Sequence, residues 1–155
     1  MLKLDLISVD SKEQLPVETE SRQKLAKAEA VIRQMPQLEI PLQHFFADGV
    51  YARQGFIPKH TVFVGRVHLH SQINIISQGN ITVLTEQGVV HLVAPCTWVS
   101  PAGAQRAAIA HEDTVWTTIL GTTETDPDVI YDTYTAPTYE QFQLVQEELL
   151  QIIKE

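Results

Sequence analysis

Between about residues 40 and 134 the sequence consists of short β-rich runs separated by turn signals, and this pattern constrains the fold most. The turn signals include Gln78-Gly79-Asn80, Ala94-Pro95 and Asp126-Pro127-Asp128, and no helical period interrupts the runs. Short strands at roughly eight- to twelve-residue spacing are typical of an antiparallel sandwich or barrel. The predicted strands are Thr61–Val67, Ile73–Ser77, Ile81–Thr85, Val89–Val93, Thr97–Val99, Thr114–Leu120 and Val129–Tyr134.

A helical period of apolar residues is present on both sides of the strand-rich region. Before it, a helix is predicted over about residues 11 to 36, with Ser11 and Gln14 forming a capped turn and Pro36 ending the run. Its apolar positions are Leu25, Ala28, Val31 or Ile32, and Met35. After it, Thr138 and Gln141 fit a capping box at the start of a second helix. The apolar stripe of that helix is Phe142, Val145, Leu149 and Ile152.

These patterns divide the chain into three parts. We predict an N-terminal helical arm in residues 1–39, a β-barrel in residues 40–134 and a C-terminal amphipathic helix in residues 135–155. Within the barrel, Trp98 and Trp116 lie in predicted strands and are expected to pack in the core. The segment His44–Asp48 is predicted to be an edge strand or a lid. His60, His91 and His111 are expected to be isolated histidines in or near turns.

Charge and cysteine content exclude several classes of partner and environment. The 155 residues include 11 Lys and Arg against 19 Asp and Glu, a formal net charge of −8. An acidic protein is a poor partner for nucleic acid or anionic membrane, so neither is expected. The single cysteine, Cys96, excludes an intrachain disulfide and is expected to be a buried thiol. We find neither a signal-peptide pattern nor an apolar window of membrane-spanning length, and therefore expect a cytoplasmic protein.

A series of motifs carries a resemblance to a known family. In chain order they are Gly49–Arg53, Val64–His68, Ile75–Ile81, Ala94-Pro95, Pro101-Ala102-Gly103 and Glu112–Thr118. Together they resemble the cupin superfamily, and more narrowly the small single-cupin proteins that are common in tailed-phage genomes. The resemblance covers about two thirds of the chain. It implies an all-β fold, the double-stranded β-helix or cupin jelly roll, with an N-terminal and a C-terminal helix.

The resemblance also implies that the family's metal site is degenerate. Metal-binding cupins use three histidines and a glutamate, and the matching positions here are Arg66, His68, Gln72 and Arg106. Arginine has no free lone pair for a cation, and a glutamine amide is a poor ligand for a transition metal. We therefore expect no metal and no other cofactor. If a metal does bind, its ligands would be His68, His70 and Gln72, because strand alternation puts His70 on the same face.

The same side chains allow a metal-free alternative. If they face inward together, they form a cavity rich in hydrogen-bond donors that suits a carboxylate, a phosphate or a polyhydroxy ligand. The candidate residues are Arg66, His68, His70, Gln72, Asn74 and Arg106. In the other interpretation the two arginines lie at the barrel mouth and pair with Glu112 or Asp113. The sequence leaves both open.

Three functional hypotheses follow. The first is a non-enzymatic structural or binding module, as a component of a phage virion or its assembly. The second is a metal-dependent dioxygenase or isomerase that uses His68 and His70. The third is a metal-free cupin that binds a sugar or an anion, and the fold alone does not choose among them. Because both terminal helices are apolar on one side, we expect a homo-oligomer, with other virion proteins as partners under the first hypothesis. A phage-encoded chain would lie in the host cytoplasm or in the virion.

Overall fold

The computed structural model describes residues 16–154, so the predicted cap at Ser11 and Gln14 lies outside the described residues. The chain forms three helices and eleven strands within that range. In order they are α1 (Pro16–Arg33), β1 (Leu42–Ala47), β2 (Val50–Ile57), β3 (Val62–Val64), β4 (Val67–His68), β5 (Gln72–Gln78), β6 (Asn80–Thr85), β7 (Gly88–Val93), β8 (Cys96–Ser100), β9 (Ala107–Ala110), β10 (Thr114–Gly121), α2 (Pro127–Tyr134), β11 (Thr135–Ala136) and α3 (Tyr139–Lys154).

The strands form two facing antiparallel sheets with interleaved order. One sheet has the order β1-β2-β10-β5-β8, and the other has the order β3-β9-β6-β7. Each sheet therefore places strands from the late part of the chain between strands from the early part, which is the connectivity of two Greek keys folded into a jelly roll. The short strands β11 and β4 pair separately at one end. The predicted double-stranded β-helix with a helix before and a helix after it is confirmed.

Alternation of side chains along the strands produces an apolar end of the barrel. In β2, β5 and β10, Gly55, Ile76 and Trp116 are in register and form one inward row. The facing sheet contributes Ile81 and Val83, both fully buried. Trp116 is 9% exposed, and Trp98 packs edge-on against it with ring centroids 5.4 Å apart. Both tryptophans therefore belong to the core region, as predicted.

The two long helices lie against the barrel in different ways. In α1, Leu25 is buried and the helix contacts the sheet that contains β3, β6, β7 and β9. In α3, Phe142 is buried in a second small core with Val67 and Ala136. Gly103 has a φ of +85°, and a Cβ there would lie 2.9 Å from a ring atom of Phe142. A glycine is therefore required both by the turn conformation and by the docking of α3.

The sequence patterns were wrong at several places, and the strand β2 was among the elements not predicted. Val129–Tyr134 was predicted as a strand but lies in α2, whose Asp126 cap accepts a hydrogen bond from the Asp128 amide at 2.9 Å. Proline follows the cap at the first helical position, where its fixed φ favours a helix. The strand β9 was not predicted, because Ala107, Ala108 and Ala110 have low strand propensity. Ala108 and Ala110 are buried in the main core, and Ala107 is buried on the opposite face of the strand.

Two further expectations can be compared with the structure. His44–Asp48 was predicted to be an edge strand or a lid, and β1 is the edge strand of the larger sheet. Cys96 is half-buried and packs against the main core. Among residues 16–154, no helix has both the length and the apolar character needed to cross a membrane.

Candidate functional site

The space between the sheets contains a cavity of about 460 Å³, with Trp116 in its wall. One wall is the inward face of β2, β5 and β10, and the opposite wall is the chain around β3, β4 and the start of β9. Helix α2 and the segment before β1 close over it. The volume is within the range of about 300–1,000 Å³ that is usual for small-molecule sites.

Strand alternation places a polar row directly above the apolar row. Arg53, Thr118 and Asn74 are register partners across β2, β10 and β5, next to the row that contains Trp116. Residues two apart on a strand share a face, so Gln72 on β5 points to the same side as Asn74. All of these side chains line the cavity. The large sheet thus supplies one arginine and several amide and hydroxyl groups to the site.

The opposite wall supplies two more arginines and a histidine. The Gly65 amide donates to the Arg106 carbonyl at 2.9 Å, and the His68 amide donates to the Ala104 carbonyl at 2.9 Å. These two bonds hold the segment before β9 alongside β4. Arg66, His68 and Arg106 consequently line the same cavity as Arg53. Sequence analysis predicted that Arg66, His68, Gln72, Asn74 and Arg106 share a site, and the structure brings these five together.

Arg66 and Arg106 form no ion pair within residues 16–154, although Arg106 has a buried acidic neighbour, Glu86. Arg106 is only 8% exposed, and the Nε atoms of Arg66 and Arg106 are both buried without a hydrogen-bond partner. Arg66 lies over the Tyr131 ring, 4.5 Å from its centroid. The buried Glu86 acts on Arg106 electrostatically, and one of its own oxygens is without a partner. Leaving buried charged groups unpaired costs several kcal/mol on an order-of-magnitude scale.

The predicted pairing of the arginines with Glu112 or Asp113 is not seen. Asp113 accepts a hydrogen bond from the Lys59 amide at 2.8 Å, and neither acid contributes to the cavity wall. In the described part of the chain, the carboxylate that lines the cavity is that of Glu39, at its exposed edge. The cavity is therefore cationic, although the chain as a whole has a formal charge of −8.

The electrostatic field of the cavity acts on His68. Burial lowers the pKa of His68 to about 4, and the nearby Arg53 and Arg106 act in the same direction. His68 is therefore a neutral imidazole at pH 7. Burial also lowers the pKa of Arg106, although arginine keeps its proton in proteins because its pKa starts so high. The site thus combines three permanent cations with one neutral ring.

The side-chain amide of Asn74 already forms hydrogen bonds inside the barrel, whereas that of Gln72 forms none within the described residues. The Asn74 Nδ2 donates to Ser100 Oγ at 3.0 Å, and its Oδ1 accepts from Trp116 Nε1 at 3.1 Å. Asn74 therefore fixes the tryptophan and has little capacity left for a ligand. The Gln72 side chain is 5% exposed and forms no hydrogen bond within the described residues. Its amide is available to a molecule in the cavity.

His70 is not part of the cavity, although sequence analysis placed it there. The chain bends at Leu69 and His70 between β4 and β5, so the alternation that begins at His68 does not continue. His70 is exposed and packs edge-on against Tyr134, with ring centroids 5.3 Å apart. It contributes to the outside of the barrel end.

Several residues of the site were missed by sequence analysis. Arg53 and Thr118 each lie two residues after a buried aromatic residue, Tyr51 on β2 and Trp116 on β10. Residues two apart share one face of a strand, so this spacing could have predicted that both side chains point inward. Tyr131 and Thr135 come from α2 and its end, and the mistaken strand at Val129–Tyr134 concealed them. Glu39 belongs to a segment without regular secondary structure, and no periodic pattern in the sequence predicted that it would line the cavity.

Contrary to expectation, His91 and His111 are not isolated: both contact Thr82. Thr82 Oγ1 lies 3.2 Å from His91 Nδ1 and 2.7 Å from His111 Nε2, on the outer face of the smaller sheet. Their ring centroids are 5.6 Å apart. His60 begins the link to β3 with a φ of +70° and donates its amide to the Ala110 carbonyl.

The cavity residues do not fit the metal that cupin proteins commonly hold. Of the four positions expected from the resemblance, His68 alone offers a good lone pair, and Arg66 and Arg106 repel a divalent ion. With His70 outside, the alternative set of His68, His70 and Gln72 is not brought together. Within residues 16–154 no group of three or more His, Cys, Asp or Glu side chains has a metal-binding arrangement.

Comparison with solved structures finds proteins of the cupin fold. KdgF from Halomonas sp. superposes with a TM-score of 0.49 at 19% identity, over 59% of this chain and 87% of that one. A cupin superfamily protein from Desulfitobacterium hafniense gives 0.47 at 13% identity, over 59% and 85% of the two chains. An acetylacetone dioxygenase from Acinetobacter johnsonii gives 0.47 at 15% identity, over 56% and 66%.

Family models and curated proteins give no match to this sequence. The structural relatives include enzymes and proteins without a stated activity, and at these identities they say nothing about the ligand or the chemistry of this chain. The fold assignment rests on the strand order given above.

Proposed function

We propose that this chain is a non-enzymatic binding module whose barrel cavity holds a small organic anion without a metal. The observation that carries the proposal is the set of three arginines around one cavity, two of them with a buried and unpartnered Nε. Guanidinium groups bind carboxylates and phosphates through charge-assisted, often paired hydrogen bonds. An anion at this position would give Arg66 and Arg106 the hydrogen-bond acceptor that their Nε atoms lack.

The polar groups beside the arginines support the same function. His68, the unused Gln72 amide and the Thr118 hydroxyl line the cavity, and each can donate one hydrogen bond or more. They are suited to orient an anion that the arginines attract. The apolar row beneath them, which includes Ile57 and Trp116, suits a carbon skeleton. The ligand class is therefore an organic acid rather than an inorganic ion alone.

Anion-dependent stabilisation tests this function. Thermal unfolding of the wild-type chain in citrate, succinate and phosphate is expected to show a rise in Tm, because a ligand at 100 times its Kd adds about 2.7 kcal/mol to the free energy of unfolding. Arg106→Met is expected to abolish that rise. It is also expected to lower the stability of the ligand-free protein, because the buried Glu86 loses its neighbouring cation, so the comparison is made on the anion-induced change in Tm of each variant.

Arg33→Met is the matched control, because Arg33 is exposed and pairs with Glu29 on α1. It is expected to keep the full response to anions. The proposal is wrong if no organic anion raises the Tm of the wild-type chain, or if Arg33→Met loses the response as completely as Arg106→Met.

A metal-dependent dioxygenase or isomerase using His68 and His70 is the competing function. The position of His70 on the outside of the barrel end disfavours it. Elemental analysis separates the two proposals. One iron, zinc, nickel or manganese per purified chain, lost on His68→Ala, would favour the enzyme.

A second role, in a phage virion or its assembly, is compatible with anion binding. The observation that favours it is the apolar outer surface of α3, where Leu149, Ile152 and Ile153 are 51%, 64% and 70% exposed. A surface of this kind suits a protein partner or a second copy of the chain. In that role the protein would be found in the host cytoplasm and in the particle, and mass spectrometry of purified virions is the test.

A further inference from the structure

A second chamber of about 370 Å³ adjoins the arginine-lined cavity. The two chambers share lining residues from both walls, including Arg53, His68, Gln72 and Thr118. The arginines Arg66 and Arg106 belong to the first chamber alone. Because the two chambers share these lining residues, a molecule bound at Arg66 and Arg106 lies next to the second chamber.

The second chamber presents two phenol hydroxyls beside the shared Arg53. The Tyr51 hydroxyl lies 2.7 Å from His44 Nδ1, and burial raises the pKa of Tyr51, which keeps the phenol protonated. Tyr134 donates its hydroxyl to Thr122 at 3.0 Å and keeps its lone pairs for a further donor. Each phenol oxygen is therefore partly satisfied and can still exchange a hydrogen bond with a ligand hydroxyl.

An acidic side chain at the mouth of this chamber limits what the far end of the ligand can be. Asp128, at the start of α2, lines the second chamber and is exposed. A carboxylate accepts hydrogen bonds from hydroxyl groups and repels a second anionic group. Arg53 lines the same chamber, so the charges of the chamber are mixed and suit ligand hydroxyl groups, whereas a small inorganic anion would leave the chamber unused.

We propose that the ligand is a polyhydroxylated monocarboxylic acid, with its carboxylate at Arg66 and Arg106 and its hydroxyl groups reaching the second chamber. The inference rests on the proposed anion-binding function and adds the chemical class of the ligand. The shared residues Gln72 and Thr118 lie between the two ends and are positioned for the hydroxyl groups nearest the carboxylate. No covalent step is involved.

The test compares two acids that have the same ring and the same carboxylate. Quinate carries four ring hydroxyls, and cyclohexanecarboxylate carries none. Titration calorimetry on the wild-type chain is expected to give at least a tenfold lower Kd for quinate. Tyr51→Phe is expected to weaken quinate about three- to tenfold, the worth of one hydrogen bond, and to leave cyclohexanecarboxylate unchanged. Tyr139→Phe on α3, outside both chambers, is the matched control and is expected to change neither.

Each alternative outcome has a definite meaning. If cyclohexanecarboxylate binds as tightly as quinate, the hydroxyl inference is wrong and the anion-binding function stands. The same holds if citrate or phosphate binds and quinate does not. If no anion binds to the wild-type chain, both proposals are wrong. The comparison of the two acids on the wild-type chain decides the matter even if Tyr51→Phe fails to fold.

Discussion

At the scale of single residues, one histidine connects the electrostatics of the cavity to the stability of the whole chain. The pKa of His68 falls from 6.5 to about 4 on folding, through burial and the neighbouring Arg53 and Arg106. Between these two pH values the His68 imidazole is protonated in the unfolded chain and neutral in the folded chain. Stability from this group is therefore fully present above about pH 6.5 and is lost as the pH falls toward 4.

We predict that acid destabilises the wild-type chain more than a variant without this ring. The free energy of unfolding is expected to fall by about 3 kcal/mol more in the wild type than in His68→Gln between pH 6.5 and 4, at 1.36 kcal/mol for each pKa unit. Urea unfolding at several pH values measures the difference. Parallel curves for the two proteins would mean that His68 titrates normally and that the cavity is less cationic than described.

At the scale of secondary-structure elements, α2 forms part of the cavity wall. Its Asp126 cap and Pro127 start a helix that places Tyr131 over Arg66 and Thr135 in the cavity wall. The Thr135 hydroxyl donates to the Tyr131 carbonyl and secures the end of the helix. A cation held against an aromatic face is positioned without being neutralised, so Arg66 remains free to bind an anion.

Loss of the α2 cap is expected to weaken both stability and anion binding. Asp126→Ala removes the hydrogen bond to the Asp128 amide and should cost about 1 kcal/mol of unfolding free energy. It should also raise the Kd for citrate, because Tyr131 loses its fixed position. Asp132→Ala, at an exposed position of the same helix, is the control of equal charge and should do neither. If both variants bind citrate like the wild type, α2 does not contribute to the site.

The sequence predicted correctly those elements in which one local pattern was strong, and it failed where two patterns conflicted or where none was present. Strands such as β5 and β6 alternate cleanly and were predicted, whereas β9 is alanine-rich and follows from tertiary packing alone. Helix α2 carried a cap signal that the β-branched Val129 and Ile130 outweighed. Five of the six candidate site residues line the cavity. Gln72 and Asn74 follow strand alternation on β5, whereas Arg66, His68 and Arg106 were predicted from the positions that match the metal ligands of cupins. His70 does not line the cavity, since a bend interrupts the strand alternation.

At the scale of the whole molecule, the C-terminal stripe divides into two parts. Phe142 is buried against the barrel, whereas Val145, Leu149 and Ile152 are 39%, 51% and 64% exposed. A helix of 16 residues that is held mainly at its first turn gains little from the barrel along the rest of its length. Burying an apolar side chain of this size is worth roughly 1.5–3 kcal/mol. The exposed part of the stripe is therefore the expected self-association surface.

We predict a homo-oligomer at micromolar concentration that depends on this stripe. Leu149→Lys is expected to shift sedimentation toward the monomer, because a charge in an apolar seam is costly to bury. Gln151→Lys, which adds the same charge at a polar position of α3, is the control and is expected to leave the oligomer intact. A wild-type monomer would show that the stripe does not mediate association, and it would weaken the assembly role.

The central claim is that the barrel cavity holds an organic anion on its arginines rather than a metal on His68. A crystal structure of the protein grown with quinate tests it most directly. The account predicts density for the acid within the cavity, with its carboxylate within about 3 Å of the guanidinium nitrogens of Arg66 and Arg106. A metal ion coordinated by His68, or quinate bound elsewhere with the cavity side chains unchanged, would contradict it.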